Sequence, residues 1–107
     1  MINIDDFKKL NIVIGTIESI EDIDSSDKLY KFTINIGNEN RQILGGLKLS
    51  YQKEELLNKQ VLILANLEPR KMMGLESQGM ILATSDENGK PVIIQPLKEV
   101  QNGSIIR

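Results

Sequence analysis

The stretch of this chain densest in groups that could bind or react runs from Ala65 to Thr84, ANLEPRKMMGLESQGMILAT. Between two apolar runs it gathers Asn66, Glu68, Arg70, Lys71, Glu76, Ser77 and Gln78. Arg70 and Lys71 are adjacent cations, suited to neutralising an anion such as a phosphate. Asn66, Ser77 and Gln78 add amide and hydroxyl groups that both donate and accept hydrogen bonds. Pro69 fixes a backbone angle and Gly74 permits a turn, so the segment reads as a preshaped loop. These residue types leave two uses open. The loop is either a binding surface or an ordinary connection whose polar groups satisfy its own backbone.

Catalysis finds little support elsewhere. The chain has no histidine and no cysteine, which removes the commonest general acid/base, the thiol nucleophile, disulfides and the usual zinc ligands. The carboxylates do not fall at EF-hand spacing, and Glu68 and Glu76 have no chemistry beside them to make a catalytic pair. The expectation is a non-enzyme with no metal and no cofactor. No apolar run approaches the roughly 20 residues that span a bilayer, and Met1 to Leu10 has no signal-like apolar core. A soluble, cytoplasmic protein with no membrane partner is expected.

The net charge of −2 hides an uneven distribution. Met1 to Asp27 sums to −5, Lys28 to Lys71 to +4, and the remainder to −1. A basic face is compatible with that distribution, as are lysines scattered over solvated surface.

The elements that must position the loop are mostly strands. At 107 residues the chain is one domain, 1–107, burying roughly two-thirds of its unfolded surface. Asn3 to Leu10 suggests a short helical turn capped by Asp5. Ile12 to Ile20 alternates with period two, apolar on both sides, and carries Gly15 inside the run as a bending strand would. Lys28 to Ile36 alternates cleanly, with Tyr30, Phe32, Ile34 and Ile36 on one side. A turn at Gly37–Asn40 leads to a returning strand from Arg41 to Leu44. Leu49 to Leu57 is the best helix candidate, with Ser50 and Glu54 near capping-box spacing. Lys59 to Ala65 and Gln78 to Thr84 read as strands separated by the Asn66–Ser77 loop, and Val92–Ile94 and Ser104–Ile106 as short terminal strands. This order predicts an all-β barrel, a five-stranded OB-fold with its helix between strands 3 and 4.

The loop also resembles a known signature. Asn66, Leu67, Pro69, Lys71, Gly74, Ser77, Gly79, Met80, Leu82 and Ala83 match the pattern of the tRNA-binding domain found at the C-terminus of methionyl-tRNA synthetases. The module also occurs in free-standing tRNA-binding proteins, in endothelial-monocyte-activating polypeptide and in a bacterial secretion chaperone. Asp6, Phe7 and Gly15 resemble its opening, Asp27-Lys28-Leu29 its second strand, and Asn102 to Arg107 its closing strand. The likeness covers essentially the whole chain. Where the family usually carries His-Pro-x-Ala-Asp-Lys-Leu, this chain has Asp24-Ser25-Ser26-Asp27-Lys28-Leu29.

The resemblance implies tRNA as partner, bound by Asn66, Arg70, Lys71, Ser77 and Met80 with Lys28 and Lys31 in support. Arg70 and Lys71 would meet phosphates, Asn66 and Ser77 base edges or the ribose 2′-hydroxyl, and Met80 the face of a base. Each residue has a plainer use: Asn66 and Ser77 as satisfiers of the loop backbone, Met80 as core, Met72 and Met73 as packing. The resemblance further implies a homodimer joined through Val92, Ile93, Ile94, Ile105 and Ile106, which could equally complete the monomer's own barrel. The implied function is a C-terminal domain or β subunit that raises a methionyl-tRNA synthetase's affinity for tRNA, working with the synthetase's catalytic part. A dimeric chaperone or peptide-binding module is the alternative.

Overall fold

The computed structural model describes residues 1–107. Strands β1 (Ile12–Asp22), β2 (Tyr30–Asn35), β3 (Asn40–Gly45), β4 (Gln60–Leu64) and β7 (Met80–Ile81) form an antiparallel sheet in the order β3-β2-β1-β4-β7. Helix α1 (Ile4–Phe7) precedes it and helix α2 (Lys53–Leu56) lies between β3 and β4. Two hairpins complete the chain: β5 (Arg70–Met72) with β6 (Leu75–Ser77), and β8 (Ala83–Ser85) with β9 (Pro91–Ile93). The result is a nearly closed OB-type barrel.

The long strand β1 serves both halves of the barrel. Ile12–Thr16 pairs with β4 and Thr16–Asp22 with β2, so Thr16 is opposed by Gln60 on one side and Asn35 on the other. To do this the strand must bend. Gly15 sits at the changeover, where a Cβ would stand 2.7 Å from Ile34 Cγ2, so the packing leaves no room for a side chain. A register shift between Ile17 and Ser19 leaves Glu18 as an extra residue and adds twist. Val13, Ile14 and Gly15 are consequently buried in succession, as the two-sided apolar pattern of this run foretells.

Strand β2 behaves as its alternation requires. Tyr30, Phe32 and Ile34 point inward, where they meet Ile17, Ile43, Val61 and Ile63, all 0 % exposed. Tyr30 packs edge-on against Phe32, and its hydroxyl donates to Tyr51 O at 2.8 Å. The Tyr51 hydroxyl accepts from Ile93 N at 3.1 Å, tying β9 to the barrel.

Several boundaries differ from the sequence reading. Asn3, not Asp5, caps α1: its Oδ1 accepts from Asp6 N at 2.9 Å while Asp6 Oδ2 accepts from Asn3 N at 3.3 Å. Helix α2 covers only Lys53–Leu56, because turns at Leu47–Tyr51 precede it and Asn58 leaves it at φ 65. Its N-terminal contact joins Gln52 N to Glu55 Oε1 at 2.7 Å, so Ser50 and Glu54 do not form the box. Leu56 is the buried anchor, whereas Leu49 is 73 % exposed. The run Gln78–Thr84 changes partner midway, from β4 at Met80–Ile81 to β9 at Ala83–Ser85. The closing segment is not a full strand. It makes a bridge between Val13 and Ile105, with Ile14 N donating to Ser104 O and Ile106 N to Ile12 O, each at 2.9 Å. These bonds flank the part of β1 that β2 does not reach.

Candidate nucleic-acid interface

The Asn66–Ser77 segment is not a simple loop. Met73 and Gly74 both have positive φ, 53 and 76, and form a two-residue turn of the I′ kind between β5 and β6. Arg70 lies opposite Ser77, Lys71 opposite Glu76 and Met72 opposite Leu75. Neighbouring residues on a strand face opposite ways, so Arg70 and Lys71 do not share a surface. Lys71 stands on the side of Glu76, which with Glu39 lines a hollow of about 270 Å³. Arg70 lines a different cleft of about 220 Å³, together with Leu44, Gly46, Leu47 and Met80. That cleft contains no carboxylate.

Side chains anchor this hairpin to β3 and close the barrel there. Leu44 N donates to Ser77 Oγ at 3.0 Å, and Ser77 Oγ donates to Gly79 O at 3.2 Å. Gln78 N donates to Gln42 O at 2.7 Å, and Gln42 N returns a bond to Gln78 Oε1 at 3.0 Å. The Gln78 side chain thus substitutes for a strand carbonyl. Gln42 Nε2 adds a bond to Glu76 O at 2.9 Å. Arg41 Nη1 reaches both ends of the segment, donating to Ala65 O and Gln78 O at 2.9 Å each, while its Nε pairs with Glu39. Arg41, Gln42 and Gln78 carry no signal of this role in the sequence, because the role depends on which strand comes to lie beside the loop.

The residues implied by the resemblance therefore divide. Ser77 is 1 % exposed with its hydroxyl engaged on both sides, so it shapes the loop and is out of reach of an RNA. Asn66 is exposed, but its amide is partly committed: Oδ1 accepts from Asn11 N at 2.9 Å and Nδ2 donates to Lys9 O at 2.7 Å. It pins the segment before β1, and one donor hydrogen and one acceptor lone pair of the amide remain uncommitted. Arg70, Lys71 and Lys28 are exposed and enter no ion pair. Lys31 is half-buried, lies beside Leu44 in register, and is held by Glu21 at 3.3 Å. Met80 is 37 % exposed at the cleft wall rather than in the core. Met73 sits exposed at the hairpin tip, against its reading as packing, while Met72 is half-buried.

The implied dimer residues divide as well. Val92, Ile94 and Ile105 are 37 %, 38 % and 67 % exposed. Ile93 packs on the core and Ile106 N bonds to β1, so these two complete the monomer's own barrel.

Comparison with known proteins agrees with this architecture. A family model described as "Putative tRNA binding domain" matches residues 12–105. The chain is 50 % identical over 103 residues to the methionine–tRNA ligase of Archaeoglobus fulgidus, covering 96 % of the chain and 16 % of that protein. It is 45 % identical over 106 residues to that of Thermococcus onnurineus, covering 99 % of the chain and 14 % of the relative. Among solved structures, a MetRS-related protein from Pyrococcus horikoshii superposes with a TM-score of 0.93 at 34 % identity, covering 100 % of this chain and 98 % of that one. The chaperone CsaA from Bacillus anthracis superposes with a TM-score of 0.90 at 28 % identity, covering 100 % and 99 %. The chain thus spans about a seventh of the ligases it matches and nearly all of two smaller proteins. Fold, loop signature and family match converge: this chain belongs to the tRNA-binding domain family.

Proposed function

We propose that this domain holds tRNA for a methionyl-tRNA synthetase, as its C-terminal part or as a separate β subunit, and thereby raises the enzyme's tRNA affinity. The observation that carries the reading is the Arg70 guanidinium, exposed and unpaired, at an acid-free cleft walled by Met80. A cation beside apolar surface suits a phosphate next to an exposed base. Lys28 and Lys31 extend the contact from the start of β2, and Lys71 supplies charge on the other side of the hairpin. Homodimerisation through Val92, Ile94 and Ile105 would present two such surfaces and multiply a weak contact through effective concentration. The synthetase partnership and the cytoplasmic location rest on the ligase relatives, of which this chain covers a small share.

Replacing Arg70 and Lys71 together by alanine is expected to weaken tRNA binding by roughly tenfold or more, about 1.4 kcal/mol. Both side chains are exposed and unpaired, so the melting temperature should stay within error. Unchanged affinity would remove the hairpin from the interface.

The likeness to CsaA supports a second reading, a chaperone that binds polypeptide. Competition between tRNA and an unfolded polypeptide at matched ionic strength separates the two. The leading reading expects the polypeptide not to displace tRNA.

A further inference from the structure

We propose that the Arg70 cleft is a pocket for the base of one unpaired nucleotide, with Arg70 on the adjoining phosphate. The proposal rests on the tRNA reading above and specifies which part of an RNA the domain takes.

The pocket offers about 220 Å³ between the end of β3 and β7, room for a single nucleobase. Leu44 and Leu47, 4 % and 5 % exposed, lie at its base, with Met80, Ile81 and Pro91 around them. Arg70 is its only charged group. A slot that combines apolar side chains with exposed backbone, one free cation and no acid fits a flat ring attached to a phosphate. It suits a stretch of polypeptide less well, because no side chain other than Arg70 lines the slot to hydrogen-bond a peptide backbone.

Gly46 supplies the second, independent observation. Its φ lies outside the left-handed region, so the backbone there does not demand glycine. Packing does not demand it either, since a Cβ at position 46 would have no heavy atom within 4 Å. Gly45 beside it differs, because a Cβ there would press on Phe32 Cε2 at 3.1 Å. Gly46 lines the pocket and a Cβ on it would meet open space, so a bulky side chain there would stand at the pocket mouth without disturbing the fold.

The composition of the pocket dictates how it discriminates. Tyr30 and Phe32 are 5 % and 0 % exposed, so no aromatic platform faces the RNA from β2. The base is held by aliphatic and thioether contact, which tolerates any base but requires that one be unstacked. Fully paired stems keep their bases inside the helix and cannot enter.

The test compares the wild-type domain with Gly46→Leu on three RNAs: a stem with one bulged nucleotide, the same stem with an abasic bulge, and the fully paired stem. The wild type is expected to bind the bulged stem about tenfold tighter than the other two, about 1.4 kcal/mol. Gly46→Leu is expected to bind all three equally, at the paired-stem level, with an unchanged melting temperature. Equal wild-type binding to all three RNAs would overturn the base pocket while leaving phosphate-directed tRNA binding intact. Retention of the preference by Gly46→Leu would overturn it too. Loss of polypeptide binding in Gly46→Leu without loss of the bulge preference would assign the cleft to a peptide instead. No wild-type binding to these RNAs or to tRNA at low salt would overturn the tRNA reading itself.

Discussion

The Ser77 hydroxyl sits where a polar residue within a signature motif invites a ligand-binding role, yet its two hydrogen bonds are both internal. Removing it strands the Leu44 amide in a buried position, and an unsatisfied buried donor costs about 1–3 kcal/mol. Ser77→Ala should therefore lower the melting temperature by several degrees, about 4–8 °C per kcal/mol for a small domain. Any loss of tRNA affinity should follow that destabilisation and disappear on cooling. A variant as stable as the wild type but weak in tRNA binding would put the hydroxyl on the RNA after all. The sequence motif marks Ser77 and Asn66 as special without saying why. Each hydrogen-bonds across a long stretch of chain, Ser77 to Leu44 and Asn66 to Lys9 and Asn11, and such partners are invisible until the fold is known. Arg70 and Met80 differ in being exposed, which leaves their side chains available to a ligand.

At the scale of elements, the β5–β6 hairpin is held by groups from β3, with Arg41 as the clasp. Its Nη1 ties Ala65 O to Gln78 O, the two ends of the segment that carries Arg70. Arg41→Met keeps an apolar stem but frees both carbonyls. The expected outcome is faster amide exchange across residues 70–77 and weaker tRNA binding, with β1, β2 and β4 exchanging as before. Uniform acceleration over the whole barrel would make Arg41 a general stabiliser and not a hairpin clasp. The hairpin escaped the sequence reading because its turn is Met73-Gly74 and not Asn-Gly or Asp-Gly, the pairs that usually announce a two-residue turn. The strands of the barrel, by contrast, follow from alternation, and the bend in β1 from Gly15. The helix is shorter than its pattern suggests because Leu49 extends an apolar edge on paper, whereas turns before Gln52 leave that leucine in solvent.

Over the whole molecule, the acidic N-terminal third offsets part of the basic middle. Asp22 holds Lys48 at 3.2 Å and Lys53 at 3.0 Å, and Glu21 holds Lys31. The Lys53 and Lys48 hydrogen bonds lower the Asp22 carboxyl below its ordinary 3.8, and Asp22 in turn raises Lys53 above 10.5. A lowered carboxyl contributes stability that is present above 3.8 and lost as pH falls through the folded value beneath it. The raised Lys53 contributes below 10.5 and ceases to as pH climbs past its folded value. Asp22→Asn should accordingly be slightly less stable than the wild type at neutral pH and indistinguishable from it in strong acid. A gap between the two that widens in strong acid would reverse the sign of the pair. The same substitution releases Lys48 and Lys53, and tRNA binding at low salt should tighten; unchanged binding would place the RNA away from this side of the barrel. Net charge alone argues against an RNA-binding surface. What matters is where the unpaired bases lie: Lys28, Arg70 and Lys71 enter no ion pair, whereas Lys31, Lys48 and Lys53 are held by Glu21 and Asp22.

The central claim, that this barrel binds tRNA through cations around the Arg70 cleft, is tested most directly by a tRNA titration over a range of salt with the protein's mass measured alongside. With about three phosphates neutralised per chain, affinity should fall roughly forty-fold between about 50 and about 200 mM salt, and more steeply if two chains act together. Absence of binding at the lowest salt, or binding indifferent to salt, would contradict the account.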